Sequence, residues 1–146
     1  MQYSKEFLLE IHKNLLETRL LEEKMKDLYA QGRVPGHVHS GVGQEAAYVG
    51  TLSTRKPGDY FKLTHRPTAM PRMLGTPLEM FFGELLAKKT GNSGGRGGSL
   101  HIGELRTGVL GMSGTLGCDA GVAVGAALTI DMEGRDNIVY MFMGDG

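Results

Sequence analysis

The sequence predicts an α/β fold, a parallel sheet flanked by helices and incomplete at its C-terminus, and three observations carry that prediction. A long amphipathic helix opens the chain, with Leu8, Ile11, Leu15, Leu21, Met25 and Leu28 recurring close to helical spacing and Lys, Glu and Asp between them. A small-residue helix from about Leu116 leads into the apolar run Asn137-Ile138-Val139-Tyr140-Met141-Phe142-Met143, which reads as a buried strand. That strand delivers Gly144-Asp145-Gly146. Helix, strand and ligand-bearing turn make half of an α/β unit, and open α/β sheets bind ligands beyond the carboxyl ends of their strands.

Composition bounds the functional classes. The chain has 146 residues, 16 basic against 16 acidic side chains and 40% hydrophobic residues, which fits one globular domain or a large part of one. Zero formal charge gives no electrostatic case for nucleic acid. The N-terminus lacks a basic region followed by a long apolar core, and the run Ala120 to Ile130 is too short to cross a bilayer, so the chain reads as cytoplasmic. Cys118, the single cysteine, excludes an intrachain disulfide framework and reads as a buried small hydrophobe.

Each element has its own signal. The first helix, within residues 1–32, runs from a Ser4 cap to a stop at Gly32 and reads as packing, without chemistry. A loop through Pro35, His37 and His39 leads to a short helix beginning near Gly43-Gln44-Glu45-Ala46; alone, His37 and His39 read as structural or solvent-facing. Asp59 to Arg66 is a plausible strand ending on the pair His65-Arg66 and broken by Pro67 and Pro71. An Arg there is placed either for bidentate grip on a phosphate or for a surface salt bridge. Thr76-Pro77-Leu78-Glu79 combines a capping box with proline at the first helical position, and opens a second long helix closed by Gly91. Leu78, Phe81, Phe82, Leu85 and Leu86 give that helix its core face.

Glycine is the outlier. Eleven of the 23 glycines lie between Gly91 and Gly121, in a stretch too rich in Leu, Val and Met for disorder. No Lys-Ser/Thr follows them, and Gly111-Met112-Ser113-Gly114-Thr115-Leu116-Gly117 has GxxGxxG spacing, which argues against a Walker loop and a nicotinamide site alike. The small residues Ala120, Gly121, Ala123, Val124, Gly125, Ala126 and Ala127 suit either a crowded interface near a cofactor or a tight core helix. Read with these glycines, Asp145 points to a magnesium-diphosphate site, since a carboxylate after a strand is a hard oxygen ligand and flanking glycines let backbone approach a phosphate. Gly-Asp-Gly is also ordinary turn chemistry.

Taken in order, Gly36-x-x-His39-x-x-x-Gly43-Gln44-Glu45-Ala46, Thr64-His65-Arg66, Gly95-Arg96-Gly97-Gly98-Ser99-Leu100-His101, Gly114-Thr115-Leu116-Gly117 and Gly144-Asp145-Gly146 form a specific series. The series resembles the alpha subunit of the thiamine-diphosphate-dependent dehydrogenase component of 2-oxo acid dehydrogenase complexes, of the pyruvate and acetoin dehydrogenase type. The resemblance covers the chain from its first helix onward and implies a thiamine-diphosphate-binding fold, with residues 1–146 the N-terminal portion of a single domain. A complete family member is roughly twice this long, so the chain reads as a fragment or the front piece of a split subunit.

The resemblance implies thiamine diphosphate and Mg²⁺ as cofactors. His65 and Arg66 match a Tyr/His-Arg pair whose Arg grips the diphosphate, while Gly114 and Leu116 match a segment whose backbone contacts the aminopyrimidine ring. Gly144, Asp145 and Gly146 match the start of the cofactor motif, with Asp145 a Mg²⁺ ligand; His39 and His101 match histidines at or near the active site. Implied partners are a beta subunit in an alpha2-beta2 heterotetramer, a lipoyl-bearing acyltransferase, and a 2-oxo acid or acetoin as substrate. Pro67-Thr68-Ala69 departs from the pattern, standing where the family carries a histidine-containing element. Besides the enzyme subunit, a non-catalytic assembly or binding module of the same fold therefore stays open, as does an unrelated phosphate-binding α/β protein.

Overall fold

The computed structural model describes residues 3–115 and 117–144. Helix α1 (Lys5–Ala30) is capped by Ser4, whose hydroxyl accepts from the Phe7 N–H, and the chain leaves it through Gly32 at φ 69°. Its buried stripe is Thr18, Leu21, Glu22, Met25 and Leu28, so only the second half of the helix is in the core. Leu8, expected on that stripe, is 53% exposed. Helix α2 (Glu45–Leu52) packs Tyr48, Val49 and Leu52 inward.

Strand β1 (Tyr60–Thr64) lies at the centre of a three-stranded parallel sheet of order β2-β1-β3, with β2 (Val109–Ser113) and β3 (Val139–Met141) at its sides. Phe61 and Leu63 face one way and join Leu21, Tyr48, Met70, Phe81 and Ile102 in the main core. Lys62 faces the other way. Its ammonium is buried, 2.8 Å from Asp119 in the first turn of α5 (Asp119–Met132) and 3.1 Å from the Gly111 carbonyl. Asp59 joins the starts of β1 and β3, accepting from the Lys56 and Ile138 N–H groups and the Asn137 amide. Among the described residues no helix is long and apolar enough to cross a membrane.

Four expectations need correction. Strand β2 replaces what reads as continuous glycine loop: Gly111 sits at φ 124° beside a register irregularity against β1, so a glycine in mid-strand hides the strand's pattern. The second long helix, expected from Thr76-Pro77 to Gly91, is the short α4 (Leu78–Leu85), preceded by a further one-turn helix, α3 (Met70–Met73), and the capping box at its start does not form. Pro77 is the cap residue, while the buried Thr76 hydroxyl has no partner among the described residues. Helix α4 ends well before Gly91, with Ala87 in the left-handed region at φ 54°, and Leu78 is 47% exposed. Cys118 is exposed, because it precedes the first turn of α5 and not its buried face.

Candidate functional site

The three parallel strands end side by side, and each leads into residues singled out from the sequence. Thr64 pairs with Ser113, so His65-Arg66 and Gly114 leave neighbouring strand ends together. Lys62 pairs with Met141 and its carbonyl accepts from the Phe142 N–H, which brings the chain toward Gly144 beside the same edge. The connections run from central β1 to β2 on one side and then across to β3 on the other. A crevice at such a switch in direction is where open α/β sheets bind ligands.

Arg66 is exposed, and its guanidinium has no salt-bridge partner among the described residues. Gly114 is exposed, and a Cβ placed there would meet nothing within 4 Å among the described residues. A free planar cation beside uncovered backbone fits a diphosphate. The expected ligands Leu116, Asp145 and Gly146 lie outside the described residues. Among the described ones no three His, Cys, Asp or Glu side chains gather as a metal site.

His39 comes to this end of the sheet from the loop before α2. Its ring meets that of His65 edge-on, 4.5 Å between centroids. Burial lowers the His65 pKa first, and the nearby His39 and Arg66 add to it, while a backbone bond with Ser113 works the other way. The buried Nδ1 of His65 has no hydrogen-bond partner among the described residues. His101 is exposed after a 3-10 turn (Gly98–Leu100), and the loop that carries it is tied to the His37 carbonyl by the Ser99 hydroxyl at 2.7 Å. The structure brings His39 and His65 together directly, and His101 joins them only through this tie between loops.

The loop from Gly91 to Gly98, which fits neither standard phosphate-loop pattern, folds around an internal carboxylate. Its N–H groups already have an anion, the fully buried carboxylate of Glu84. Glu84 accepts from the N–H groups of Ser93, Gly95, Gly97 and Gly98 and from the Ser93 hydroxyl, at 2.6 to 3.1 Å. Burial alone would raise this carboxyl, but the Ser93, Gly97 and Gly95 bonds overcome it and hold the pKa below the ordinary range. A Cβ on Gly91 or Gly95 would clash with backbone at 2.6 Å or less, so these glycines answer to close packing around Glu84.

A second buried carboxylate, Glu22 of α1, touches both loops of the candidate site. It accepts from the Gly41 N–H at 2.9 Å through Oε2 and from the Ala69 N–H at 3.2 Å through Oε1, with the Ser40 hydroxyl 3.5 Å away. Burial raises its pKa to about 6 against those bonds. Sequence reasoning gave α1 no chemistry. The available signal was an acid at the position after Leu21 on the stripe Thr18, Leu21, Met25, Leu28.

The profile of the family described as "Dehydrogenase E1 component" matches residues 13–146, and the chain belongs to that family. It is 38% identical over 136 residues to the alpha subunit of acetoin:2,6-dichlorophenolindophenol oxidoreductase of Bacillus subtilis (strain 168), covering 93% of this chain and 41% of the relative. The same subunit of Cupriavidus necator is 36% identical over 142 residues, with 97% and 43% covered. The pyruvate dehydrogenase E1 component subunit alpha of Rickettsia prowazekii is 32% identical over 142 residues, with 97% and 44% covered. The chain therefore spans less than half the length of the curated relatives it matches.

Proposed function

We propose that this chain is the N-terminal portion of the single thiamine-diphosphate-binding domain of an E1 alpha subunit. It would serve an oxidoreductase that decarboxylates pyruvate or a related 2-oxo acid, or cleaves acetoin, and passes the acyl unit to lipoyl groups. The observation that supports this most directly is the parallel order β2-β1-β3 with Arg66, Gly114 and Gly144 following the three strand ends. In this reading Arg66 takes the diphosphate, Asp145 takes Mg²⁺, Gly144 and Gly146 let backbone approach the phosphate, and the backbone of Gly114 and Leu116 orients the pyrimidine. Thiamine diphosphate, when bound, would supply the ylid chemistry at the 2-oxo group. His39, exposed in the loop before α2, and His101 are the candidates to hold or move a proton at a ring nitrogen, and the partly buried His65 ring packs edge-on against His39. A beta subunit and a lipoyl-bearing acyltransferase complete the assembly.

A non-catalytic module of the same fold is the second reading, and one observation favours it. Thr68, at the centre of the departing Pro67-Thr68-Ala69 segment, is 1% exposed and donates to the His65 carbonyl, so it offers no side chain to a substrate. Calorimetric titration of thiamine diphosphate in Mg²⁺ into the complete subunit with its beta partner tests the first reading. Saturable binding lost in Asp145→Ala is expected, and unchanged affinity in that variant removes Asp145 from the site. Binding without decarboxylation of pyruvate or turnover of acetoin selects the second reading.

A further inference from the structure

We propose that Glu22 is a positioning residue of the candidate cofactor site: its carboxylate fixes the spacing between the loop that carries His39 and the loop that carries His65 and Arg66. The proposal rests on the functional reading above. Glu22 is 1% exposed and has no cation within salt-bridge distance among the described residues. A buried acid without a counter-ion is costly unless backbone donors satisfy it. Here the donors come from two separate loops, one to each oxygen, and neither the Gly41 nor the Ala69 N–H has a backbone acceptor among the described residues. The carboxylate is thus their shared acceptor. The loops also touch directly above it. A Cβ on Gly41 would stand 2.6 Å from the Arg66 carbonyl oxygen, and the rings of His39 and His65 meet at 4.5 Å. Helix α1 is anchored to the core through Leu21 and Met25 on either side of Glu22, so the carboxylate is a fixed point.

The test uses the complete protein with its beta partner. Glutamine keeps one acceptor oxygen and turns the other position into a donor, so Glu22→Gln can satisfy only one loop. Hydrogen exchange of segments 38–42 and 67–70 is expected to accelerate about tenfold in one of them, the equivalent of one lost bond to charge, with the rest of α1 unchanged. Thiamine diphosphate affinity measured in Mg²⁺ is expected to fall by a similar factor. Gly41→Ala leaves Glu22 intact but forces the Arg66 carbonyl away, and the same affinity loss is expected from it. Unchanged exchange in both segments overturns the proposal, and so does faster exchange with wild-type affinity. Acceleration throughout α1 assigns Glu22 to helix stability and overturns it too. If the wild type binds no thiamine diphosphate, the functional reading fails, and exchange alone then decides whether Glu22 holds the loops.

Discussion

At the scale of single residues, two charges do opposite kinds of work. Arg66 is exposed at a strand end with its fork free of salt bridges among the described residues. Arg66→Ala is expected to weaken thiamine diphosphate by about 1.5–3 kcal/mol, the range for hydrogen bonds to charged groups. Lysine should recover only part of this, since a point charge does not reproduce the planar fork. Equal affinities of wild type and Arg66→Ala by calorimetry would take the residue out of the site. Glu84, by contrast, is spent internally. Its oxygens hold the loop from Ser93 to Gly98, so Glu84→Gln, which sets an amide against N–H donors, should cost about 2 kcal/mol or more in denaturant unfolding. Glu84 at a helix's end and the glycines beyond it are both visible in the sequence, but nothing in their spacing says that one fills the other. Because of that gap, the internal role of the glycine loop is not legible in the sequence.

Elements were legible where pattern and cap agree. Ser4, the stripe ending at Leu28 and Gly32 fixed the bounds of α1 to within two residues of those observed. The β1 strand was visible for the same reason, as a short apolar run ending in a change of composition, while the run Asn137–Met143, which reads as a buried strand, forms only the half-buried Val139–Met141 at the sheet edge, with Ile138 and Met143 exposed. Strand β2 was not, since a positive-φ glycine interrupts it, and neither was the end of α4, where the chain turns at Ala87, a non-glycine residue at φ 54°, well before Gly91. Of the candidate site, the residues at the three strand ends were readable from motif order, whereas the role of Glu22 needed the tertiary contact between α1 and two loops. A pairing between elements also sets a pH prediction. The Arg19 side chain, hydrogen-bonded at 2.6 Å across from α1, is the main cause holding Glu45 of α2 down to about 2 from 4.5. A depressed carboxyl contributes stability above its unfolded pKa and loses it as pH falls. Melting temperature should therefore decline between pH 4.5 and 2 more steeply in wild type than in Glu45→Gln. Parallel profiles would show that the α1–α2 pair carries none of the acid sensitivity.

At the scale of the whole molecule, the described surface is unfinished on the side of α5. Val122, Val124, Leu128 and Met132 are 51%, 66%, 57% and 78% exposed on a helix whose buried residues are only Asp119, Ala123 and Ile130. Strand β3 lies at the edge of the sheet and pairs only with β1 among the described residues, leaving backbone groups that can recruit another strand. The small residues of α5 are thus not a tight core helix within this chain. Helix α5 starts at Asp119, near the strand ends that would hold the cofactor, and its far end reaches Tyr60 at the start of β1. A chain spanning 41–44% of its relatives' length, with these surfaces open, is expected to associate and to show no turnover alone. Sedimentation of the purified 146-residue chain should report species larger than a monomer. With thiamine diphosphate and Mg²⁺ it should release no CO₂ from pyruvate, and activity should return only when the remainder of the alpha subunit and a beta subunit are both supplied. Robust CO₂ release by a monodisperse monomer would mean that the site closes within these residues, and that the uncovered face of α5 has no part in completing it.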